Sequence, residues 1–400
     1  MRTFAATSRD NILSLPFSFH ALFIELLNDL TTKVHAFERW QGAYENPDGA
    51  HDFEEIEEGI DRVVDDISPH WLLQEKLIWL NALLRLHERR EQLAEAACCK
   101  VASIEYVQRA GLGHGSDSSH FGRLQQWVVR ELFEARRYAN RADWIEKELA
   151  ISELLLVALK QQRRFNEYQE TTEYMGALVR RLADRDDSQH NSSSFSFYRV
   201  RFAGGCVPTL IAKDEFIYKR SKFTSLGEFV GEMKTMLRAK YPQCERVDVV
   251  PEPKPLTGSD SNPNVIYLRV TTVEEALPEE LARLKMAEPR SHHWRVAFKF
   301  AVPFTLGSAS SYGKTSEQMK RLTFLSVARA FPCRLSRQRV RLRHEEVRCP
   351  IDNSMDDIQK RCALLQAEID KGRVGKTDLK TLTLVLKGSV DTHVHGGIPE

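Results

Sequence analysis

Near the carboxyl end, Asp391, His393 and His395 alternate along Gly388-Ser389-Val390-Asp391-Thr392-His393-Val394-His395. Two imidazoles at i and i+2 on an extended chain share a side and can hold one metal ion. A metal hydrolase on a (β/α)8 barrel draws its ligands from the ends of several strands. Only five residues follow His395, so no barrel fits after it, and we expect no metal on this chain. Gly111, Gly113 and Gly115 follow a helical run rather than a strand, which reads as a flexible loop and not a phosphate cradle. No Gly-x-Ser-x-Gly is present, and no Ser/His/Asp triad can be placed by sequence order. The seven cysteines include no Cys-x-x-Cys pair. They read as thiols in a reducing compartment. Nothing in these residues resembles a covalent active site.

The elements around them belong to an ordinary globular chain. It has 400 residues, 42% hydrophobic and 28% charged, enough for two or three cores. Lys and Arg total 57 against 56 Asp and Glu, which excludes the basic excess of a nucleic-acid binder. The acidic stretch Glu54 to Asp66 and the basic stretch Arg334 to Arg343 read as two solvated faces. No apolar run reaches the ~18–20 residues that span a bilayer, and Met1 to Leu15 lacks a signal-peptide layout.

Periodicity predicts an α+β chain that is mostly α. Residues 1–187 read as helices. Ser68-Pro69 is a start signal, and Leu73, Leu77, Leu80 and Leu84 follow at helical spacing. Leu93 to Val107, Phe121 to Leu132 and Ile145 to Leu159 continue the pattern as antiparallel, TPR-like hairpins without a strict repeat. A polar linker at Asp186 to Ser194 precedes a change of period to two. Tyr198, Val200 and Phe202 alternate with Arg199 and Arg201. Phe298, Phe300, Val302 and Phe304 alternate with Lys299. Such alternation predicts antiparallel sheet with one buried and one wet face. Leu226 to Lys240 reads as a helix, and Pro251 to Pro263 as a loop. Helices are expected again from Lys314. Met355, Ile358, Cys362, Leu365 and Ile369 form a bundle seam, with Leu379, Leu382 and Leu386 as another apolar face.

The order of several short runs resembles the DOCKER domain of the dedicator-of-cytokinesis family. Phe197-Tyr198-Arg199-Val200 with Phe202 and Gly204 is similar to the strand opening that family's central lobe. Glu215 to Lys219, Tyr241-Pro242 and Pro303-Phe304-Thr305 match later pieces. Glu317-Gln318, Lys320-Arg321 and Thr323 resemble a helix of the zizimin-like branch, with Phe331-Pro332 at its end. Pro350 to Asn353, then Leu386 to Val390 with Val394, Gly396 and Gly397, resemble the closing motifs. In the helical part, Trp79-Leu80 through Leu93 to Ala97 is also similar. The matches run in order over nearly the whole chain.

The resemblance implies three lobes: 1–190, a helical array that homodimerises; 191–313, an antiparallel β lobe; and 314–400, a helical bundle carrying a nucleotide-sensor loop. It implies a cytoplasmic guanine-nucleotide exchange factor for a Rho-family small GTPase, Rac-like or like cell division control protein 42. No cofactor is implied, and any recruitment to a membrane is left to regions outside this chain. Val394 falls on the family's nucleotide-sensor valine, with His395, Gly396 and Gly397 shaping its loop. Arg321 and Thr323, on the first bundle helix, are expected to contact the GTPase. The family continues past the sensor with further helices, so the bundle is expected to be incomplete and the chain truncated. The alternative reading is a weakly catalytic scaffold that binds the GTPase and dimerises.

Overall fold

The computed structural model describes residues 17–46, 51–66, 73–111, 118–188, 194–212, 214–251, 264–276, 280, 284, 296–305, 318–373, 383 and 386. They form an α+β chain, mostly α, in which a helical array precedes an antiparallel sheet. Their contacts group into two compact units, 1–142 with 150–165 and 143–149 with 166–400. The array holds α1 (Phe17–Glu45), α2 (Phe53–Asp66), α3 (Leu73–Arg89), α4 (Leu93–Gly111), α5 (Ser118–Arg141), α6 (Ile145–Gln161) and α7 (Phe165–Ser188). The Ser68-Pro69 start signal and most of the Pro251–Pro263 loop lie outside the described residues.

In the first unit Ile60, Val64, Leu80, Leu83 and Leu86 are buried against Ala96 and Cys99. The acidic stretch is not the solvated face expected of it. Glu54, Glu57 and Asp61 share the buried side of α2 with Ile60 and Val64. Arg90 lies 3.3 Å from Glu57 and 3.8 Å from Glu54, and His87 lies 3.8 Å from Glu57. The Arg90 guanidinium, in the turn after α3, gives Glu54 and Glu57 a counter-charge that allows them to be buried.

One turn geometry recurs between helices. Glu91, Asp143 and Arg163 each adopt positive φ, between 52° and 56°, two residues before α4, α6 and α7 begin. At two of these turns an amide three residues past the helix end reaches back five residues: Gln92 N to His87 O (2.9 Å), and Arg164 N to Leu159 O (3.0 Å). This left-handed closure satisfies the last helical carbonyls.

The second unit is built on strands β1 (Phe195–Ala203), β2 (Glu215–Ser221), β3 (Arg246–Val249), β4 (Val265–Glu275), β5 (Ala297–Thr305), β6 (Gln318–Ser326), β7 (Arg337–Arg339) and β8 (Leu342–Arg348). Their order is β7-β2-β1-β4-β5-β6-β8, with β3 parallel to β4. The two ends of that order are successive pieces of one segment: β7 pairs with β2, and two residues later β8 pairs with β6. The sheet therefore curls back on itself. The short α8 (Thr209–Ala212) follows β1, α9 (Leu226–Lys240) lies between β2 and β3, and α10 (Pro350–Arg373) follows β8.

The helices expected from Lys314 are, among the described residues, strands as far as Arg348. Arg321 and Thr323 thus stand on β6, not on a helix. β6 pairs along its whole length with β5, so Thr323 faces Phe300 and Leu325 faces Phe298. That aromatic neighbour overrides the helix-favouring Gln318, Lys320 and Arg321.

Both faces of β1 are covered. Tyr198, Val200 and Phe202 pack with Phe216, Phe229, Met233 and Leu237 beneath α9, and Tyr198 stacks on Phe229 at 4.5 Å. On the other face Phe197 meets Phe298 and Phe331, at 4.8 and 5.7 Å. Arg199 shares this second face and is 1% exposed, so the wet face expected of this strand does not exist. α9 starts in a capping box: Glu228 N donates to Ser225 Oγ (3.2 Å), and Ser225 N donates to Glu228 Oε2 (2.7 Å). At α10, Pro350 takes the first helical turn and Asp352 accepts from Cys349 N (3.1 Å). Met355, Ile358, Cys362 and Ile369 of the expected seam are exposed. Leu379 and Leu382, of the other expected apolar face, lie outside the described residues.

Just past the end of β1, Gly204 has φ +124°, and an added Cβ there would run into the Val265 carbonyl oxygen. Only glycine fits such an approach. Gly204→Ala is expected to destabilise the chain by about 2 kcal/mol, from strain at positive φ. Urea unfolding of the two proteins would measure the shift.

Candidate functional site

The described part of the expected site is one face of the curled sheet. On β6 the side chains of Arg321 and Thr323 point the same way, two residues apart. Register places Val302 and Val347 beside Arg321, and Phe300 and Glu345 beside Thr323. Thr323 is 1% exposed. Arg321 keeps half of its side chain in solvent. Its guanidinium sits 5.4 Å from the Phe304 ring and 3.9 Å from Glu345 Oε2.

From Arg321 a ladder of alternating charge runs inward. Glu345 accepts from Arg343 Nε (2.9 Å). Arg343 Nη1 donates to both Glu215 carboxylate oxygens, at 3.2 Å each. Arg199 Nε donates to Glu215 Oε1 from the other side. Arg199 lies 4.5 Å over the Phe300 ring, and its Nη1 reaches Thr271 Oγ1 at 3.5 Å. The ladder is exposed at Arg321 and buried at Arg199, so the dielectric falls along it and the inner pair is the least screened.

The hydrogen bond from Arg343 holds the Glu345 carboxyl below its ordinary value, and the positive charges of Arg321 and Arg199 add to that. Burial works against the Arg343 charge, but its bonds to Glu345 and Glu215 leave its pKa raised. Such a ladder supplies no nucleophile paired with a base. It presents a half-exposed guanidinium beside apolar Val302, Phe304 and Val347, an arrangement suited to gripping a polar protein surface.

Sequence reasoning passed over Arg199, Glu215, Arg343 and Glu345. Arg343 fell in the basic stretch read as solvated. The alternation of β1 puts Arg199 on a wet face, and the structure buries it. The usable signal was a charge inside the aromatic run Phe197-Tyr198-Arg199-Val200, since a charge there is buried with a partner or not at all. Val394, His395, Gly396 and Gly397 lie outside the described residues, as do Asp391 and His393. Among the described residues no cluster of His, Cys, Asp or Glu could hold a metal ion, and no helix is long and apolar enough to cross a membrane.

Removing the carboxylate between the two guanidiniums leaves Arg199 buried without its counter-ion. Glu215→Ala is expected to lower stability by about 3 kcal/mol, measurable by chemical denaturation. The outer carboxylate sets a pH dependence. Because the folded pKa of Glu345 lies below its unfolded value, its contribution is present above the unfolded carboxylate range, about 4.3. It is lost as pH falls through the folded value. Glu345→Gln should therefore be less stable than the parent at pH 7, with the gap closing on acidification in a series of thermal melts.

No family model matches the chain. Over 80% of its length it is similar to Guanine nucleotide exchange factor SPIKE 1 of Arabidopsis thaliana, 21% identical over 365 residues that cover 20% of that relative. It is also similar to Dedicator of cytokinesis protein 8 of Homo sapiens, 28% identical over 362 residues, and to Dedicator of cytokinesis protein 9 of Mus musculus, 24% identical over 368 residues. In each case 80% of this chain aligns with 17% of the relative. The chain thus spans about a fifth of the length of the curated relatives it matches.

Proposed function

We propose that this chain is a guanine-nucleotide exchange region acting on a Rho-family small GTPase. The observation that carries the reading is the alignment of 80% of the chain with dedicator-of-cytokinesis relatives and with a protein named as an exchange factor. The helical array followed by an antiparallel sheet agrees with what the resemblance implies. The finer assignment to the zizimin-like branch belongs to the same proposal, with a Rac-like or cell division control protein 42-like GTPase as substrate.

A small GTPase holds its diphosphate through many phosphate contacts and a magnesium ion that offsets their charge. In this reading Val394 enters the metal position of the bound GTPase. An apolar side chain there excludes the cation without replacing its charge, so the diphosphate is poorly neutralised and leaves. His395, Gly396 and Gly397 shape the loop that delivers it, the glycine pair letting the backbone leave helical geometry. GTP binding then weakens the complex, since a factor that prefers the nucleotide-free partner must be released by nucleotide. No covalent step occurs and no cofactor is used.

Arg321 is the described residue best placed to touch the GTPase, at the exposed end of the ladder. Thr323 acts beneath it, buried between Phe300 and Glu345, by fixing the strand. Residues 1–190 serve as the dimerising lobe, where Leu154 and Val157 of α6 are exposed and one helical turn apart. Residues 191–313 form the β lobe. Residues 314–400 carry the sensor loop, with 318–348 extending the sheet. In a cell the chain works in the cytoplasm, recruited to membranes by parts of a longer protein.

The test is release of a fluorescent GDP analogue from Rac-like and cell division control protein 42-like GTPases. The chain should accelerate release, and Val394→Ala should slow it on the order of tenfold, about 1.4 kcal/mol in the barrier, while binding to the nucleotide-free GTPase survives. Equal release rates for parent and variant would defeat the sensor role. Tight binding without any acceleration by the parent would make the chain a scaffold.

A further inference from the structure

We propose that the turn between β2 and α9, with the outward row of α9, docks on an anionic lipid surface, the Phe223 ring entering the boundary between headgroups and acyl chains. Ser221 O accepts from Thr224 N (3.0 Å), which closes a turn with Lys222 and Phe223 at its tip. β1 holds this turn in place: Ser196 Oγ donates to Lys222 O (3.3 Å), and Tyr198 Oη donates to Thr224 O (2.5 Å). Ser225 then opens the capping box of α9. Tip positions usually go to Gly, Asn, Asp, Ser or Pro, which suit the backbone there and lose nothing in water. Here a phenylalanine stands at the tip, 90% exposed, with Leu226 nearby 43% exposed. At that exposure the ring contributes almost nothing to the core of its own unit, so the fold does not account for it.

The charge around the tip is mostly of one sign. From Arg220 to Lys240 the chain carries five cations and two carboxylates. Both carboxylates are engaged: Glu228 accepts from Ser225 N (2.7 Å), and Glu232 accepts from Arg220 Nε (3.2 Å). Gly227, Gly231, Lys234 and Arg238 share the side of α9 turned away from buried Phe229, Met233 and Leu237. Gly227, Gly231 and Arg238 are exposed, and Lys234 is partly exposed. A Cβ added at Gly227 or Gly231 would meet nothing within 4 Å, so this row is low and lets the helix lie close against a flat surface. Among the described residues, Lys222, Lys234 and Arg238 have no carboxylate partner.

These features fit a bilayer better than a protein partner. A protein hot spot is an apolar anchor closed in by surrounding contacts that exclude water. One ring projecting from a turn, with glycines and cations beyond it, offers few such contacts. A bilayer asks only for an apolar side chain that reaches below the headgroups and for cations at headgroup level. The cations draw the surface toward an anionic leaflet over about a Debye length, and the ring then leaves water. So small a patch gives weak, reversible binding, since stable anchoring takes a stronger second signal. The contact stands beside the proposed exchange function and does not depend on it.

The experiment sediments the full chain with vesicles of phosphatidylcholine alone and of phosphatidylcholine with about a quarter phosphatidylserine, at low and at raised salt. The chain should sediment with the anionic vesicles and not with the neutral ones, and less as salt rises. Lys222→Ala, Lys234→Ala and Arg238→Ala should each weaken binding about fivefold. Phe223→Ala should weaken it on the order of tenfold, while melting at the temperature of the parent. Equal sedimentation with neutral vesicles, or none with anionic ones, would overturn the proposal. So would parent-level vesicle binding by Phe223→Ala. If Phe223→Ala instead loses binding to a nucleotide-free GTPase in the absence of lipid, the tip is a protein contact and the proposal falls.

Discussion

The β unit turns on one carboxylate. Glu215 stands at the start of β2 and is held by Arg199 of β1 and Arg343 of β8. β2 and β8 lie near opposite ends of the strand order, so these bonds join regions of the sheet that no single strand pairing connects. A guanidinium buried like Arg199 is tolerated only beside its counter-charge. The same geometry gives Arg343 a fixed position, which orders Glu345, which stands beside Arg321 at the surface. The exposed cation of the proposed GTPase-binding face is thus positioned from the inside outward.

Much of the fold was legible because local pattern and global burial agreed. Leu226 to Lys240 had helical spacing and a serine three residues ahead of a glutamate, and α9 has those bounds. The aromatic alternation of Phe298, Phe300 and Phe304 marked β5. Where pattern and environment disagreed, reading failed in understandable ways. The run from Gln318 to Arg321 is rich in helix formers and resembles a family helix, yet Thr323, Phe324 and Leu325 commit the segment to pairing with β5. Glu54, Glu57 and Asp61 look like a wet face until α3 supplies His87 and the turn after it supplies Arg90. Long-range partners of this kind leave no periodic trace.

The recurrent turn of the array was hidden for a different reason. Glycine would have announced a left-handed closure, but Glu91, Asp143 and Arg163 share no residue type. The repeat is conserved in backbone geometry and not in side chains, which is why the helical part read as repeat-like without a period. The proposed sensor was legible only through resemblance: a valine between two histidines carries no physical signal of displacing an ion bound to another protein.

The segment 337–348 has a consequence for how the chain acquires its structure. It contributes to both ends of the strand order, and Glu215 and Arg343 are 128 residues apart. Everything from β1 to β6 must already be arranged before this piece can dock on β2 and β6 together. Contacts of such sequence separation form late and slowly. During synthesis the earlier strands therefore emerge with unpaired edges, and the ribosome must deliver the closing segment before those edges find one another on neighbouring chains.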